Sequence, residues 1–220
     1  DELNRVAFAL DYGSPIVTAH NAVIGGFSGG PSGAAIVAVA GGLQGLLVQQ
    51  GKVVRPGTIH NRLKTRADRS CIWTAALACQ AFARNSHVPT DQGDHPVAGP
   101  GTDQYLYEIC AYQLGVVVSG AHSLGGTRKF VVGRIEDFGT PMESRWLGEV
   151  CKAGAGVSRE HANEIAKALL KKYEDKLEDA PMGYAFEQLY DVEKEEPKED
   201  YLEIYSRVKE ELEELGMKLE

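Results

Sequence analysis

The sequence predicts an α/β fold of parallel strands: half of a (β/α)8 barrel of the TIM type, followed by C-terminal helices. Three observations predict it. Short apolar runs alternate with longer helical stretches about four times at roughly 30 to 40 residues, the spacing that parallel strands with helical crossovers need. Gly-rich or polar loops separate each run from its helix, and after Gly154 the composition changes to charged helices. A complete eight-unit barrel takes about 250 residues. Only about 155 precede the helical tail here, so the expectation is a half-barrel segment over 1–156 and charged helices over 157–220, packed on the barrel or at a subunit contact. Half a barrel leaves two sheet edges open, which calls for an N-terminal half, another copy of the chain or a rearranged sheet to cover them.

Taken in order, Pro15 to His20 reads as the first strand and Gly25 to Ser32 as a loop, with Ser32 as N-cap of a helix to about Gln50. Lys52 to Ile59 is the second strand and Ala67 to Asn85 its helix. His87 to Pro89 forms the third strand, and Thr102 with Asp103 caps a helix running to about Ser119. Ala121 to Leu124 is a short fourth strand, Gly125 to Thr127 a loop, and another helix starts near Pro141; the apolar run Phe130 to Val132 has no assigned place. In the tail, Ser158 opens a helix to about Lys176 with Ile165, Leu169, Leu170 and Tyr173 on one face. Pro197 opens another, with Leu202, Tyr205, Val208, Leu212 and Leu215 at helical spacing and Gly216 as its stop. Gly41, Gly42 and Gly45 fall inside a helix, where glycine is costly, so close packing against a neighbour is expected there.

The totals narrow the function classes. A chain of 220 residues that is 43% hydrophobic and 25% charged has an ordinary globular balance. Its net charge of −8 argues against a nucleic-acid surface, which needs clustered Lys and Arg. The surplus acid lies between Glu160 and Glu220; the first 150 residues are close to neutral, leaving room for an anionic ligand there. No stretch reaches the roughly 18 to 20 apolar residues of a membrane span, and no export signal opens the chain, so a cytoplasmic location is the expectation. The start at Asp1 rather than Met suggests truncation, processing or a removed tag. Cys71, Cys79, Cys110 and Cys151 lack the close pairing of a zinc site and read as buried reduced thiols.

In parallel α/β folds the working residues sit just beyond the C-terminal strand ends. Four places qualify: His20 with Asn21, Gly57 to Arg62, Asp91 to Pro96, and His122 with Ser123. Five of the six His residues, His20, His60, His87, His95 and His122, fall at or near such ends and together point to a polar pocket. The loop Gly25 to Gly30 resembles a phosphate cradle but lacks the spacing of either phosphate-binding fingerprint, so a tight loop needing positive φ is the preferred reading. Asp91, Asp94 and His95 are metal-ligand types, yet no second cluster at matched spacing accompanies them; a polar loop is expected, with no metal and no cofactor bound by this chain.

Five collinear blocks carry a family resemblance. They are Gly25-Gly26-Phe27-Ser28-Gly29-Gly30; Gly57 with His60 and Arg62; Pro96, Ala98, Gly99, Pro100 and Thr102 with Glu108 following; Met142-Glu143 with Arg145 and Gly148-Glu149-Val150; and Ala180-Pro181 with Gly183 and Phe186. In this order and spacing the chain resembles the C-terminal half of monomethylamine methyltransferases. The resemblance implies an oligomeric (β/α)8 barrel that moves a methyl group from a small methylated amine to the corrinoid cobalt of a separate protein. It also implies a pyrrolysine upstream of the matching region, an active-site carboxylate at or near Ala19, where this chain has none, and an active-site Gln corresponding to Gln92. On this basis His60, Arg62 and Gln92 are the expected catalytic residues, as proton donor or acceptor, anion anchor and orienting amide. His20, Asn21, Asp91 and His122 are expected to contact substrate. The changed position at Ala19 keeps two alternatives open: a pyrrolysine-independent relative acting on another methylated compound, and a non-catalytic assembly or corrinoid-protein docking module.

Overall fold

A helix of 10 residues, α1 (Glu2–Asp11), opens the computed structural model, which describes residues 2–125 and 139–219. Four β/α units follow: β1 (Val17–Ile24) and α2 (Pro31–Leu47), β2 (Val53–His60) and α3 (Arg69–Asn85), β3 (Asp91–Gly93) and α4 (Asp103–Val117), then β4 (Ser123–Gly125), with α5 (Pro141–Gly154) after it. β1 and β2 pair in parallel from Val17 opposite Val53 to Ile24 opposite His60, and β3 and β4 pair in parallel from Asp91 opposite Ser123. A parallel bridge between Val54 and Thr90, with the Val54 amide donating to the Pro89 carbonyl at 3.1 Å, joins the two pairs in the order β1-β2-β3-β4. The arrangement is that of a half-barrel, as the alternation predicts.

Differences in detail have local causes. The first helix of a β/α unit starts at Pro31 with Gly30 as its N-cap, because the fixed φ of proline suits the first helical turn; Ser32 therefore lies inside the helix instead of capping it. The third strand begins at Asp91, not His87, and the fourth at Ser123, so each lies further along the chain than the apolar residues suggest. Phe130 to Val132 fall outside the described residues. α1, which precedes the first strand read from the sequence, has Val6 as its one buried residue.

Caps fall where short polar side chains precede the helices. Asp68 accepts from the amides of Ser70 and Cys71 at the start of α3, and Thr102 from Tyr105 at the start of α4. At α5, Thr140 and Glu143 form a reciprocal capping box ahead of Pro141. The chain continues as α6 (Arg159–Tyr173), a 3-10 turn (Glu174–Lys176), α7 (Phe186–Leu189), a short antiparallel pair β5 (Tyr190–Asp191) and β6 (Glu196–Pro197), and α8 (Glu199–Glu214). Gly216, at φ 93°, follows α8 in the left-handed conformation that its stop requires.

α4 is the hub, with α5, α6 and α8 packed on it, so nearly every one of its residues is buried. Trp146 of α5 donates its indole N–H to the Leu106 carbonyl at 3.0 Å, which ties α5 to α4, and the Tyr173 hydroxyl of α6 donates to the Ala67 carbonyl at 2.6 Å, which ties the first tail helix to the loop after β2. One core runs continuously from α3 through α4 and α5 to α6 and α8. Beside β1, the glycines of α2 do what their cost predicts. A Cβ at Gly41 would lie 2.7 Å from the His20 Cβ, at Gly42 2.5 Å from the Phe82 ring, and at Gly45 2.2 Å from Thr18 Oγ1. Cys71, Cys79 and Cys110 are buried free thiols and Cys151 is half-buried. Among the described residues, no helix is long and apolar enough to cross a membrane.

Candidate functional site

Strand alternation sorts the side chains into two faces. Thr18, His20, Ala22 and Ile24 of β1 point toward α2, while Ala19 and Asn21 point to the opposite, interior face and stand exposed. On β2, Thr58 donates to the Cys71 carbonyl of α3, so it faces the helices; a Cβ at Gly57 would meet Asn21 Oδ1 at 2.4 Å, so Gly57 and, two residues back, Arg55 face the interior. Asp91 of β3 joins them there through Arg55, whose Nε and Nη2 both donate to Asp91 Oδ2, the former at 2.7 Å. The interior is thus layered: Ala19, Arg55 and Asp91 lie side by side, with Asn21, Gly57 and Gly93 one step nearer the C-terminal strand ends.

A residue from outside the strands completes the second layer. Arg66, 3% exposed, reaches in from the loop after β2, where it donates from Nη2 to Asn21 Oδ1 at 2.5 Å and from Nη1 to the Gly93 carbonyl. Gly57 makes this possible, since a Cβ there would lie 3.1 Å from Arg66 Nη2. The guanidinium fork ties β1 to β3 across β2 and fixes the orientation of the Asn21 amide. No spacing rule singles out Arg66, because its loop folds back before the helix begins: the His60 amide donates to the Thr65 carbonyl, and the Thr65 hydroxyl and Arg66 amide both donate to the His95 carbonyl.

The structure brings together two of the expected substrate contacts, Asn21 and Asp91, and disperses the others. His20 lies under α2, half-buried, with Nε2 3.2 Å from Gln49 Oε1, and faces away from the interior. His122 precedes β4, with Nδ1 accepting from the Thr90 amide at 3.3 Å, so it stands at the N-terminal end of the strand, opposite the expected end. His87 likewise precedes β3, which leaves His60 and His95 at the C-terminal ends. His60 closes its own turn by accepting from the Leu63 amide at 3.2 Å. Arg62 lies on the rim, its side chain 75% exposed and paired with Glu178 at 2.6 Å. Gln92 is fully buried on the helix side: its amide nitrogen donates to the Pro56 carbonyl at 3.2 Å and lies 3.3 Å from the Cys79 sulfur, while its oxygen accepts from the Tyr112 hydroxyl at 2.9 Å. Its hydrogen-bonding capacity is spent on holding β2, β3, α3 and α4 together.

The Gly25 to Gly30 loop is a tight turn. Gly25 and Gly29 have φ of 80° and 70°, and the amides of Gly25, Gly26 and Gly29 donate to carbonyls of the same turn rather than outward to an anion. Among the described residues, no group of His, Cys, Asp and Glu has a metal-holding arrangement.

Two of the sequence blocks meet at the loop after β3. The Gly99 amide donates to the Pro181 carbonyl at 2.9 Å and the Tyr184 amide to the Pro100 carbonyl at 3.0 Å, so residues 180–186 strap this loop from outside. From inside, Glu108 of α4 accepts from the amides of Val97 at 2.6 Å and Ala98 at 3.2 Å and from Gln104 Nε2 at 2.9 Å. Burial raises the Glu108 carboxyl to about 7 despite these three donors, with the nearby Asp94 adding to the rise. The folded chain therefore keeps a proton that the unfolded chain releases between about pH 4.5 and 7, and stability is expected to fall as pH rises through that window, by up to about 3 kcal/mol. Urea midpoints across this range check it: Glu108→Gln flattens the decline, and an equal slope in the variant would contradict the assignment.

The model of a family described as monomethylamine methyltransferase MtmB matches residues 1–217. Monomethylamine methyltransferase MtmB2 of Methanosarcina acetivorans is 32% identical over 195 residues, covering 89% of this chain and 42% of that protein; MtmB1 of Methanosarcina barkeri is 31% identical over the same shares. The crystal structure of the M. barkeri monomethylamine methyltransferase superposes with a TM-score of 0.92 at 29% identity, covering 98% of this chain and 47% of that one, and a hydroxylamine complex of MtmB matches equally well. The chain thus spans less than half the length of the relatives it matches.

Proposed function

Because the chain belongs to the monomethylamine methyltransferase MtmB family, we propose that it supplies one side of a barrel that moves a methyl group from a methylated amine to a corrinoid carried by a separate protein. The observation that carries this reading is the pair of polar interior layers, in which Asn21, Arg55 and Asp91 face the space a barrel encloses, Arg55 pairs with Asp91, and Arg66 fixes Asn21 nearer the C-terminal strand ends. In the transfer, the C–N bond breaks with its electron pair left on nitrogen, while the methyl group bonds to the reduced cobalt of the acceptor. Such a displacement asks the protein for alignment and for control of the amine proton, which fixed hydrogen-bonding groups supply.

Within this proposal Asn21 and Asp91 contact substrate, His60 exchanges a proton at the strand end, Arg62 acts on the rim, and Gln92 steadies β3 from behind. His20 and His122 support β1 and β4 rather than touch substrate. The free edge of β1 is covered by the remainder of a barrel, or by another copy of this chain, and the reaction takes place in the cytoplasm beside the corrinoid protein. The test is methyl transfer from monomethylamine to a corrinoid protein, read by the change in cobalt absorbance, with the barrel completed by the N-terminal half of a relative. Transfer that falls about 100-fold in Asp91→Asn supports the reading. A folded, completed barrel with no transfer to any corrinoid acceptor overturns it.

A further inference from the structure

Beside the buried Asp91 carboxylate, the interior face offers donors at Arg55 and Asn21, groups that a bare ammonium ion cannot use. Asn21 Oδ1 accepts from Arg66 Nη2. A planar amide held that way keeps its Nδ2, which carries two donor protons, turned away from Arg66. One layer further in, Arg55 commits Nε and Nη2 to Asp91 Oδ2, so that carboxylate oxygen is taken and Nη1 lies outside the pair. Ala19, the register partner of Arg55, stands beside it and one layer below Asn21; its exposed methyl group brings neither bulk nor a polar atom to compete for these donors. Val17 and Val23 continue the same face above and below with apolar surface.

We propose that Arg55 and Asn21 form a carboxylate site over Ala19, and that the methylated amine taken by this barrel carries an acid group, as an N-methyl amino acid does. The methyl-donor half of this inference rests on the methyl-transfer reading above; the carboxylate half rests on the donor geometry alone. A carboxylate accepts from a guanidinium and an amide at once, with charge assistance from the former. An ammonium ion, having only donors, finds no complement in either group. With its acid group at the Ala19 layer, such a ligand extends its methylated nitrogen toward the C-terminal strand ends, the end of a β/α barrel where chemistry takes place. Arg55 is then the arginine that selects substrate, while Arg62 on the rim is tied to Glu178.

Isothermal titration of the 220-residue chain with N-methylglycine and with methylammonium chloride tests this. N-methylglycine is expected to bind at least about 10-fold more tightly than methylammonium, and Arg55→Gln to weaken it about 10-fold or more. Because Arg55→Gln also disturbs Asp91, the decisive variant is Ala19→Glu. At an exposed position it leaves the core intact, checked by circular dichroism, and its carboxylate occupies Arg55 in place of the ligand, so binding is expected to disappear. Equal binding of the two ligands, unchanged N-methylglycine binding in Ala19→Glu, or no binding of either at millimolar concentration overturns the carboxylate site. Each of those outcomes leaves methyl transfer to be judged by the cobalt assay. Conversely, N-methylglycine that binds as expected but yields no transfer, in a completed barrel that does transfer from monomethylamine, overturns its role as methyl donor and leaves both the site and the methyl-transfer reading standing.

Discussion

Arg66→Met is expected to destabilise the fold by about 3 to 5 kcal/mol, more than any other single change in the interior layers. The side chain is 3% exposed and holds two acceptors, Asn21 Oδ1 and the Gly93 carbonyl, that lie on strands not paired to each other. Removing it leaves both acceptors without their donor and opens the space above Gly57. Arg66→Lys is expected to recover little of the loss, because one ammonium cannot span two acceptors in the fork geometry that the guanidinium provides. Equilibrium urea unfolding of both variants measures the stability. Nuclear magnetic resonance of the Asn21 side-chain amide supplies the second readout: its two protons should lose their fixed environment in both variants if Arg66 orients that amide. A Lys variant of wild-type stability would show that Arg66 only fills space.

Much of the architecture is legible in the residues because local chemistry dictates it. Asp68, Thr102, Thr140 and Ser158 are short polar side chains immediately preceding helices, and each accepts from an amide of the first turn. Gly41, Gly42 and Gly45 break the helix propensity of α2 at positions where β1 and α3 press against it, so their cost forecasts contact. The alternation of units requires parallel strands, and four strands appear in sequential order.

The site is less legible, for reasons of register and of loop path. Gln92 and Asp91 are adjacent in sequence, yet once β3 begins at Asp91 they face opposite sides, Asp91 toward Arg55 and Gln92 toward Cys79 and Tyr112. Placing the third strand at His87 to Pro89 leaves both in a loop, where either is free to turn inward. Arg62 and Arg66 share one loop, and nearness to the strand end favours Arg62. What reverses their roles is the hydrogen bonding of Thr65 and Arg66 to His95, which folds the loop so that Arg66 enters the interior and Arg62 meets Glu178. His20 offers a similar lesson: its position is right for a strand, but the glycines of α2 make room for it on the helix side.

Gly183→Ala is expected to release the strap over the loop after β3. Gly183 sits at φ 76°, and a Cβ there would lie 2.3 Å from the Gly99 carbonyl carbon, 2.5 Å from its Cα and 2.6 Å from the Pro100 oxygen. All three are backbone atoms, so no rotamer change relieves the clash and one segment must move. The left-handed conformation alone costs a side chain about 1 to 2 kcal/mol. Gly156, at φ 86° with nothing within 4 Å of its would-be Cβ, isolates that part in Gly156→Ala. The difference between the two variants therefore measures the contact, and Gly183→Ala is expected to exceed Gly156→Ala by about 2 kcal/mol or more. Hydrogen exchange locates the loss: the amides of Gly99 and Tyr184, which donate across the strap at 2.9 and 3.0 Å, should lose protection in Gly183→Ala and keep it in Gly156→Ala. If both amides stay protected, the strap bends without opening and the loop depends on Glu108 alone. Because that loop leads from β3 into α4, an opened strap also predicts weaker methyl transfer in the completed barrel, with the Arg55 and Asp91 pair left in place.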